Sequence, residues 1–443
     1  MKRNEKYKRS PYRYLVVGSD TKVPLYNGQL SPCINFDNAA TTPPLASVMN
    51  AIVNFSPWYS SIHRGTGYKS QLSSKIYEDS RKTVGKFIGA DLDKDVIIYV
   101  KNTTEAINKL SYRLCSCDDD SIILTTSMEH HSNDLPWRDK YNVDYIEVDD
   151  CGRLVMEDLR NKLIRYGDKV KLVTIAGASN VTGYINPIYD IAKLVHEFGC
   201  KILVDGAQLV PHCKLSMKPH DSLEHIDYLA FSAHKMYAPF GIGVLIGPNE
   251  TFERGDPDYK GGGTVNVVTK DYVLWTDPPE KDEAGTPNVM GVIALAKAID
   301  TMTGIGMKNI EIYEQDIFDY AFRKIAQIPD IKIYSCKNLD YPRVAIIPFN
   351  ISGMHHSITA EILSKEFGIA VRNGCFCAQP YVQKILNIPK EEIGSYANEP
   401  MNKRPGMVRL SFGMYNDIYE IDFLIMALNK IVQNKNKYLE KYG

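Results

Sequence analysis

No apolar run in this chain approaches the roughly 20 residues needed to cross a bilayer, so no membrane partner is expected. Charge of one sign is not in excess either. The 52 Lys and Arg stand against 53 Asp and Glu, a formal net charge of -1, and no nucleic-acid partner is called for. There is no internal repeat and no low-complexity linker, which leaves closely packed domains with room for a site between them. The first residues are locally basic (Lys2, Arg3, Lys6, Lys8, Arg9, Arg13), but the YLVVGSDTK that follows is too short and polar for a signal-peptide core. A solvated tail is expected there. The nine cysteines are odd in number and scattered, which argues against a secreted disulfide framework and for free thiols in a reducing, cytoplasmic setting. Neither Cys115/Cys117 nor Cys375/Cys377 has the two-residue gap common in zinc knuckles, and no metal is assigned. GTGYKS (65–70) fails the P-loop spacing and follows no strand.

What is present is enough for a large core: 443 residues, 44% hydrophobic, read as two domains. DVIIYV (95–100), SIILTT (121–126), VKLVTIAG (170–177), CKILVDG (200–206), IDYLAFSA (226–233) and GIGVLIG (241–247) read as buried strands. Between them TTEAINKLSYRL and PIYDIAKLVHEFG have helical spacing. This is an α/β pattern, a mostly parallel sheet covered by helices. The large domain is expected over residues 34–290. Residues 291–443, with 1–33, read as a smaller α+β domain with strands at IKIYSC and RVAIIPFNI and a helix near ITAEILSKEFG.

In an open parallel sheet, ligands bind at the carboxyl ends of strands. VKNTTEAIN follows a strand and opens a helix, so Thr103 and Thr104 sit where backbone N–H groups and the helix dipole favour a phosphate. A plain threonine N-cap is the alternative. LVDGAQ ends an apolar strand on Asp205, a costly place for a carboxylate without a cationic partner. FSAHK ends the next on Ser232, His234 and Lys235. Alone, such a lysine would be surface decoration. Together, a phosphate-binding turn, a buried acid and a lysine supply three contacts that pyridoxal phosphate requires: the Schiff-base amine, a partner for the pyridine nitrogen and an anchor for the phosphate. A fourth feature is the loop VRNGCFCAQPY (371–381), whose glycine, asparagine and proline oppose helix and strand. Its two thiols suit inert packing, half a metal site, a disulfide or a nucleophile.

FDNAATT, HRGTG, TTEAIN, EHHSNDLPW, SNVTG, VDGAQ, FSAHK, GGG, EAGTPN and VRNGCFCA stand in the order of class V, fold-type I pyridoxal-phosphate enzymes. The chain resembles most the cysteine desulfurases of the SufS and selenocysteine-lyase branch, from about Ile34 to the C-terminal helix. The resemblance implies the fold of that class, with a seven-stranded type of sheet, and pyridoxal 5'-phosphate as cofactor. It makes Lys235 the Schiff-base lysine, Asp205 the partner of the pyridine nitrogen and His130 the imidazole stacked on the ring. Gln208 and Asn180 would bond the phenolic oxygen, while Thr103, Thr104, Ser232 and His234 would hold the phosphate. Arg409 would pair with the substrate carboxylate, with Arg372, Asn38 and His63 near the same site. A homodimer is implied, in which Thr286 and Gly261 to Gly263 reach toward the other subunit's site.

Aminotransferases, epimerases, decarboxylases and lyases share this apparatus, so the thiol loop discriminates. Aligned on the family's VRxGxxCA, Cys377 matches the nucleophile that takes sulfur as a persulfide, while Cys375 is a departure. The reaction implied converts L-cysteine, or L-selenocysteine, to L-alanine and passes sulfur to an acceptor protein serving iron–sulfur assembly, thiolated RNA or a small metabolite. A class V lyase on a related amino acid and a non-catalytic scaffold are the alternatives. Two stretches depart from the pattern: HRGTG, which carries His63, and a longer segment at 390–406 that is expected to affect access to the site or acceptor docking.

Overall fold

The computed structural model describes residues 8–115, 120–336, 339, 341–400 and 403–443; Cys117 and the basic residues before Lys8 lie outside them. Strands β1 (Asp95–Val100), β2 (Ile122–Thr126), β3 (Asn142–Ile146), β4 (Val170–Ala176), β5 (Lys201–Asp205), β6 (Tyr228–Ser232) and β7 (Gly243–Pro248) make one sheet in the order β1-β7-β6-β5-β4-β2-β3. Neighbours from β3 to β6 are parallel, and only β7 runs against its neighbours β6 and β1. The expected seven-stranded, mostly parallel sheet is therefore present. All six expected runs form strands. β3 escaped the pattern because NVDYI sits at the sheet's edge, half exposed and interrupted by Asp144.

Away from β3 both faces of the sheet are covered, which is why the other strands read as apolar runs. On β1, Ile97 and Tyr99 join the core beneath helix α1 (Tyr68–Ile88), while Val96, Ile98 and Val100 join the one beneath α2 (Thr103–Leu114). Each fully buried side chain of this size contributes about 1.5–3 kcal/mol. α3 (Ile188–Glu197) adds Ile191, Leu194 and Val195 to the first core. So does α4 (Val289–Ile305), through Val292, Leu295 and Met302.

At Gly306, whose φ of +91° suits a residue without Cβ, the chain bends by 77° into α5 (Met307–Ile325). No single helix among the described residues is long and apolar enough to cross a membrane. α5 packs into a second core with α6 (His356–Phe367), α7 (Ile418–Gln433) and an antiparallel sheet. That sheet, β8 (Ile331–Ile333), β9 (Ile346–Ile351), β10 (Arg372–Gly374) and β11 (Met407–Ser411), has the order β8-β9-β11-β10. Ile34 and Phe36 belong to this second core, and Ile34 pairs with Ile369. The two cores are tied by His212 Nδ1 to Glu314 Oε2 at 2.8 Å, and by a disulfide between Cys151 and Cys336. That bond corrects the expectation of free thiols throughout. The partners are 185 residues apart in sequence but their Cα atoms lie 5.4 Å apart, a proximity that cysteine spacing cannot reveal.

Candidate functional site

The carboxyl ends of β1, β2, β4, β5 and β6 open on one edge of the large sheet, facing β10 and β11 of the small one. A cavity of about 370 Å³ lies there, the size of a small-ligand site. Its lining holds Thr103, Thr104, His130, Asn180, Asp205, Gln208, Ser232, His234, Lys235, Arg372, Cys377 and Arg409, so the structure brings these twelve expected residues to one place. Asn38, His63 and Thr286 are not in that lining. Asn38 is buried and donates from Nδ2 to Ser411 O and Asn416 Oδ1, which positions its neighbours Ala39 and Ala40 on the cavity wall. His63 is exposed, its ring edge-on to Tyr77. Thr286 is exposed beside the glycine segment, where Gly285 N–H donates to Gly262 O at 2.8 Å.

One end of the cavity is rich in donors. The cap of α2 is Asn102 rather than a threonine, its side chain accepting from Glu105 N–H at 3.0 Å. This frees the next two residues for other work. Thr103 Oγ1 lies 2.7 Å from Ser232 Oγ, and Thr104 Oγ1 lies 2.6 Å from Ser132 Oγ. Four hydroxyls thus gather at the positive end of a helix, with His234 beside them. Burial and nearby Lys235 push His234 down to about 4, so its ring is neutral at pH 7.

His130 continues this chain. Ser132 N–H donates to its Nδ1 at 3.1 Å, so the neutral ring carries its proton on Nε2. Burial, then Lys235, hold His130 down at about 3. Opposite stands Asp205, whose Oδ1 accepts from Ala207 N–H at 2.9 Å. Burial raises its carboxyl, and among the described residues no lysine or arginine forms an ion pair with it. Below lies Glu129, fully buried, accepting from Ala176 N–H and Asn133 Nδ2 and pushed up to about 8, mainly by burial. No role for Glu129 was legible beforehand. The available signal was a carboxylate placed just after a buried strand.

Lys235 is enclosed by the site. Burial lowers its amine to about 8, against the pull of Asp205 and with the repulsion of Arg409; Cys377 is close enough to contribute. Arg409 and Arg372 face each other across β11 and β10, in register. Like charges so placed repel. Among the described residues only Asp37 answers them, through Arg409 Nη2 at 3.1 Å, and Arg409 Nε is buried without a partner. The pair is one anion short.

The thiol loop lies over this end. Phe376 and Cys377 both have φ of +54°, left-handed for two successive residues with side chains. The conformation is held at three points: Asn180 Nδ2 donates to Phe376 O, His131 N–H donates to Cys377 O, and the buried Phe376 ring lies under the Arg409 guanidinium at 4.9 Å. Cys377 is exposed, whereas Cys375 is half-buried. The segment at 390–406 ends against the same loop, with Arg404 O accepting from His356 Nε2 at 2.9 Å. A Cβ on Gly406 would come 2.6 Å from Gly374 Cα, so the approach there needs glycine.

A family model described as aminotransferase class-V matches residues 34–424. A cysteine desulfurase of Haloferax volcanii is 34% identical over 422 residues, covering 93% of each chain. A probable cysteine desulfurase of Staphylococcus aureus is 36% identical over 402 residues, covering 89% of this chain and 91% of its own. Among solved structures, the apo form of a cysteine desulfurase from Thermococcus onnurineus superposes with a TM-score of 0.80 at 32% identity, over 91% of this chain and 95% of the other.

Proposed function

The chain belongs to the class-V aminotransferase family, and from that premise we propose that it is a cysteine desulfurase using pyridoxal phosphate. The fit of the cofactor rests on the cavity's own chemistry. The hydroxyl cluster at the start of α2 suits a phosphate, and a buried acid that forms no ion pair among the described residues suits a ring N–H. Thr103, Thr104, Ser232 and His234 would hold the phosphate, Asp205 and His130 would flank the ring, and Lys235 would attach it. Bound there, the cofactor supplies a ring that accepts electrons from the substrate's α-carbon.

The protein's residues supply the rest. Arg409, assisted by Arg372, binds the amino-acid carboxylate and answers the missing anion of the paired strands. Lys235 Nζ, about half neutral at pH 8, takes the α-proton and can return it. Cys377 Sγ attacks the substrate sulfur. An S–S bond forms as the Cβ–S bond breaks, the β-carbon keeps the electron pair and takes a proton, and L-alanine leaves with one sulfur added to the enzyme. The single observation that carries this reading is Cys377, an exposed thiol beside Lys235 on a loop bonded to the large domain. An acceptor protein then removes the sulfur, and two copies of the chain complete each site through Gly261 to Gly263 and Thr286.

The test is to incubate the purified protein with L-cysteine and assay alanine, pyruvate and protein persulfide together. Alanine and persulfide should appear in equal amounts in a single turnover. Cys377→Ser should release little alanine, and Cys375→Ser should still carry sulfur on Cys377. Pyruvate as the main product, or alanine release undiminished without Cys377, would overturn the assignment.

A further inference from the structure

At the edge of the large sheet away from Lys235, three side chains that the proposed reaction leaves unused converge. Asp95 opens β1, and six residues of strand, about 17 Å at 3.3 Å per step, separate it from the end that leads to Thr103. His220 and His225 lie in the loop that feeds β6, on the other side of β7 from β1. One ligand atom from each of the three lies within 4.8 Å of the other two.

The hydrogen bonding of each residue points its free atom at the same spot. Asp95 Oδ2 accepts from Asp91 N–H at 3.1 Å, which leaves Oδ1. His225 Nδ1 faces two carbonyls, Met217 O at 3.0 Å and Lys218 O at 2.9 Å. Carbonyls only accept, so Nδ1 carries the proton and Nε2 presents a lone pair. This is the second bond by which metal-bound histidines are commonly oriented. His220 Nε2 approaches Asp95 Oδ1 to 3.0 Å without the angle of a hydrogen bond. Asp95 Oδ1, His220 Nε2 and His225 Nε2 are all buried, and none of them has a hydrogen-bond partner among the described residues. Asp95 is 3% and His225 4% exposed, so bulk solvent barely reaches them.

A carboxylate oxygen and two neutral imidazole nitrogens this close repel each other unless a metal cation, or a proton on His220, sits between them. We propose that Asp95, His220 and His225 bind a zinc ion, with water in the fourth position. Two nitrogen donors select a first-row divalent metal over magnesium or calcium, and three protein ligands leave one position open. His220 and His225 help to line a solvent cleft of about 710 Å³, with Lys94, Asp227 and Glu250. The histidine loop holds its shape through its own backbone bonds. Ile226 N–H donates to Met217 O at 2.9 Å, closing the loop on itself, and Ser222 N–H donates to Pro219 O at 3.0 Å. The ion would join the start of β1 to the run-up of β6 across β7, a clasp under the strand that delivers Lys235.

The holoprotein, chelator-treated and with its free thiols alkylated by N-ethylmaleimide, is titrated with zinc chloride against a chromogenic competitor. One zinc per chain should bind at micromolar concentration and raise the Tm. His220→Ala, at a partly exposed position, and His225→Gln should each weaken binding at least tenfold and abolish the Tm rise. The same variants, not alkylated, should turn over cysteine within twofold of the parent. No stoichiometric uptake by the parent, as an imidazolium–carboxylate pair would give, overturns the proposal. So does uptake that His220→Ala leaves unchanged.

Discussion

Lys235 loses basicity because the site buries its ammonium and sets Arg409 nearby, with Asp205 only partly offsetting the effect. With an amine pKa of about 8 against an ordinary value near 10.4, the neutral fraction grows about tenfold per pH unit below 8 and levels off above it. Cofactor-free protein should therefore take up pyridoxal phosphate at a rate that follows this curve, monitored by absorbance in a stopped-flow instrument. Lys235→Ala should show no such pH dependence and hold the cofactor without a covalent link. Asp205→Asn keeps the shape and removes the charge, so turnover should fall by about 10² or more as a charge contact in the transition state is lost. An unchanged rate would mean that the acid is not beside the ring. These residues were legible because each stands just after an apolar strand, where a polar side chain is conspicuous. Glu129 stands in the same position after β2 but in a polar run, EHHSND, where one more polar residue does not stand out. Asp95, His220 and His225 were invisible as a set: 125 and 130 positions separate Asp95 from the histidines, and no spacing rule joins them.

Two short antiparallel strands, β10 and β11, do what neither could alone. Their register sets Arg372 opposite Arg409, and opposite residues of an antiparallel pair point to the same face. Arg409 is the buried member, with Nε free, so Arg409→Ala should weaken binding of cysteine and of alanine about 10- to 150-fold, the range for a charge-assisted bond of roughly 1.5–3 kcal/mol. Equilibrium titration of the holoprotein checks this, and insensitivity would shift the role to Arg372. Helices and buried strands were readable from periodicity to within a few residues, since apolar runs covered on both sides have no other use. Edge elements were not. β3 is half polar, and β10 is a three-residue strand, RNG, that no propensity favours and only pairing with β11 creates.

The whole molecule carries a surface that a lone chain explains poorly. A hairpin of Val265–Val268 and Val273–Trp275 follows directly on Gly261 to Gly263 and exposes Val267, Val268, Tyr272, Val273 and Leu274. Contiguous apolar exposure of this kind marks an interaction surface. In sedimentation the protein should have twice the chain mass, and Val268→Asp with Leu274→Asp should shift it toward the single chain and cost at least tenfold in turnover. A dimer in the double variant would place the contact elsewhere. The bond between Cys151 and Cys336 has a consequence of another kind. It closes a ring of backbone that contains Asp205 and Lys235, while His130, Cys377 and Arg409 hang from the two tails outside it. A protease that cuts once inside the ring leaves a molecule still joined end to end, running as one band on a gel without reductant and as two with it. A cut in either tail frees a fragment in both lanes.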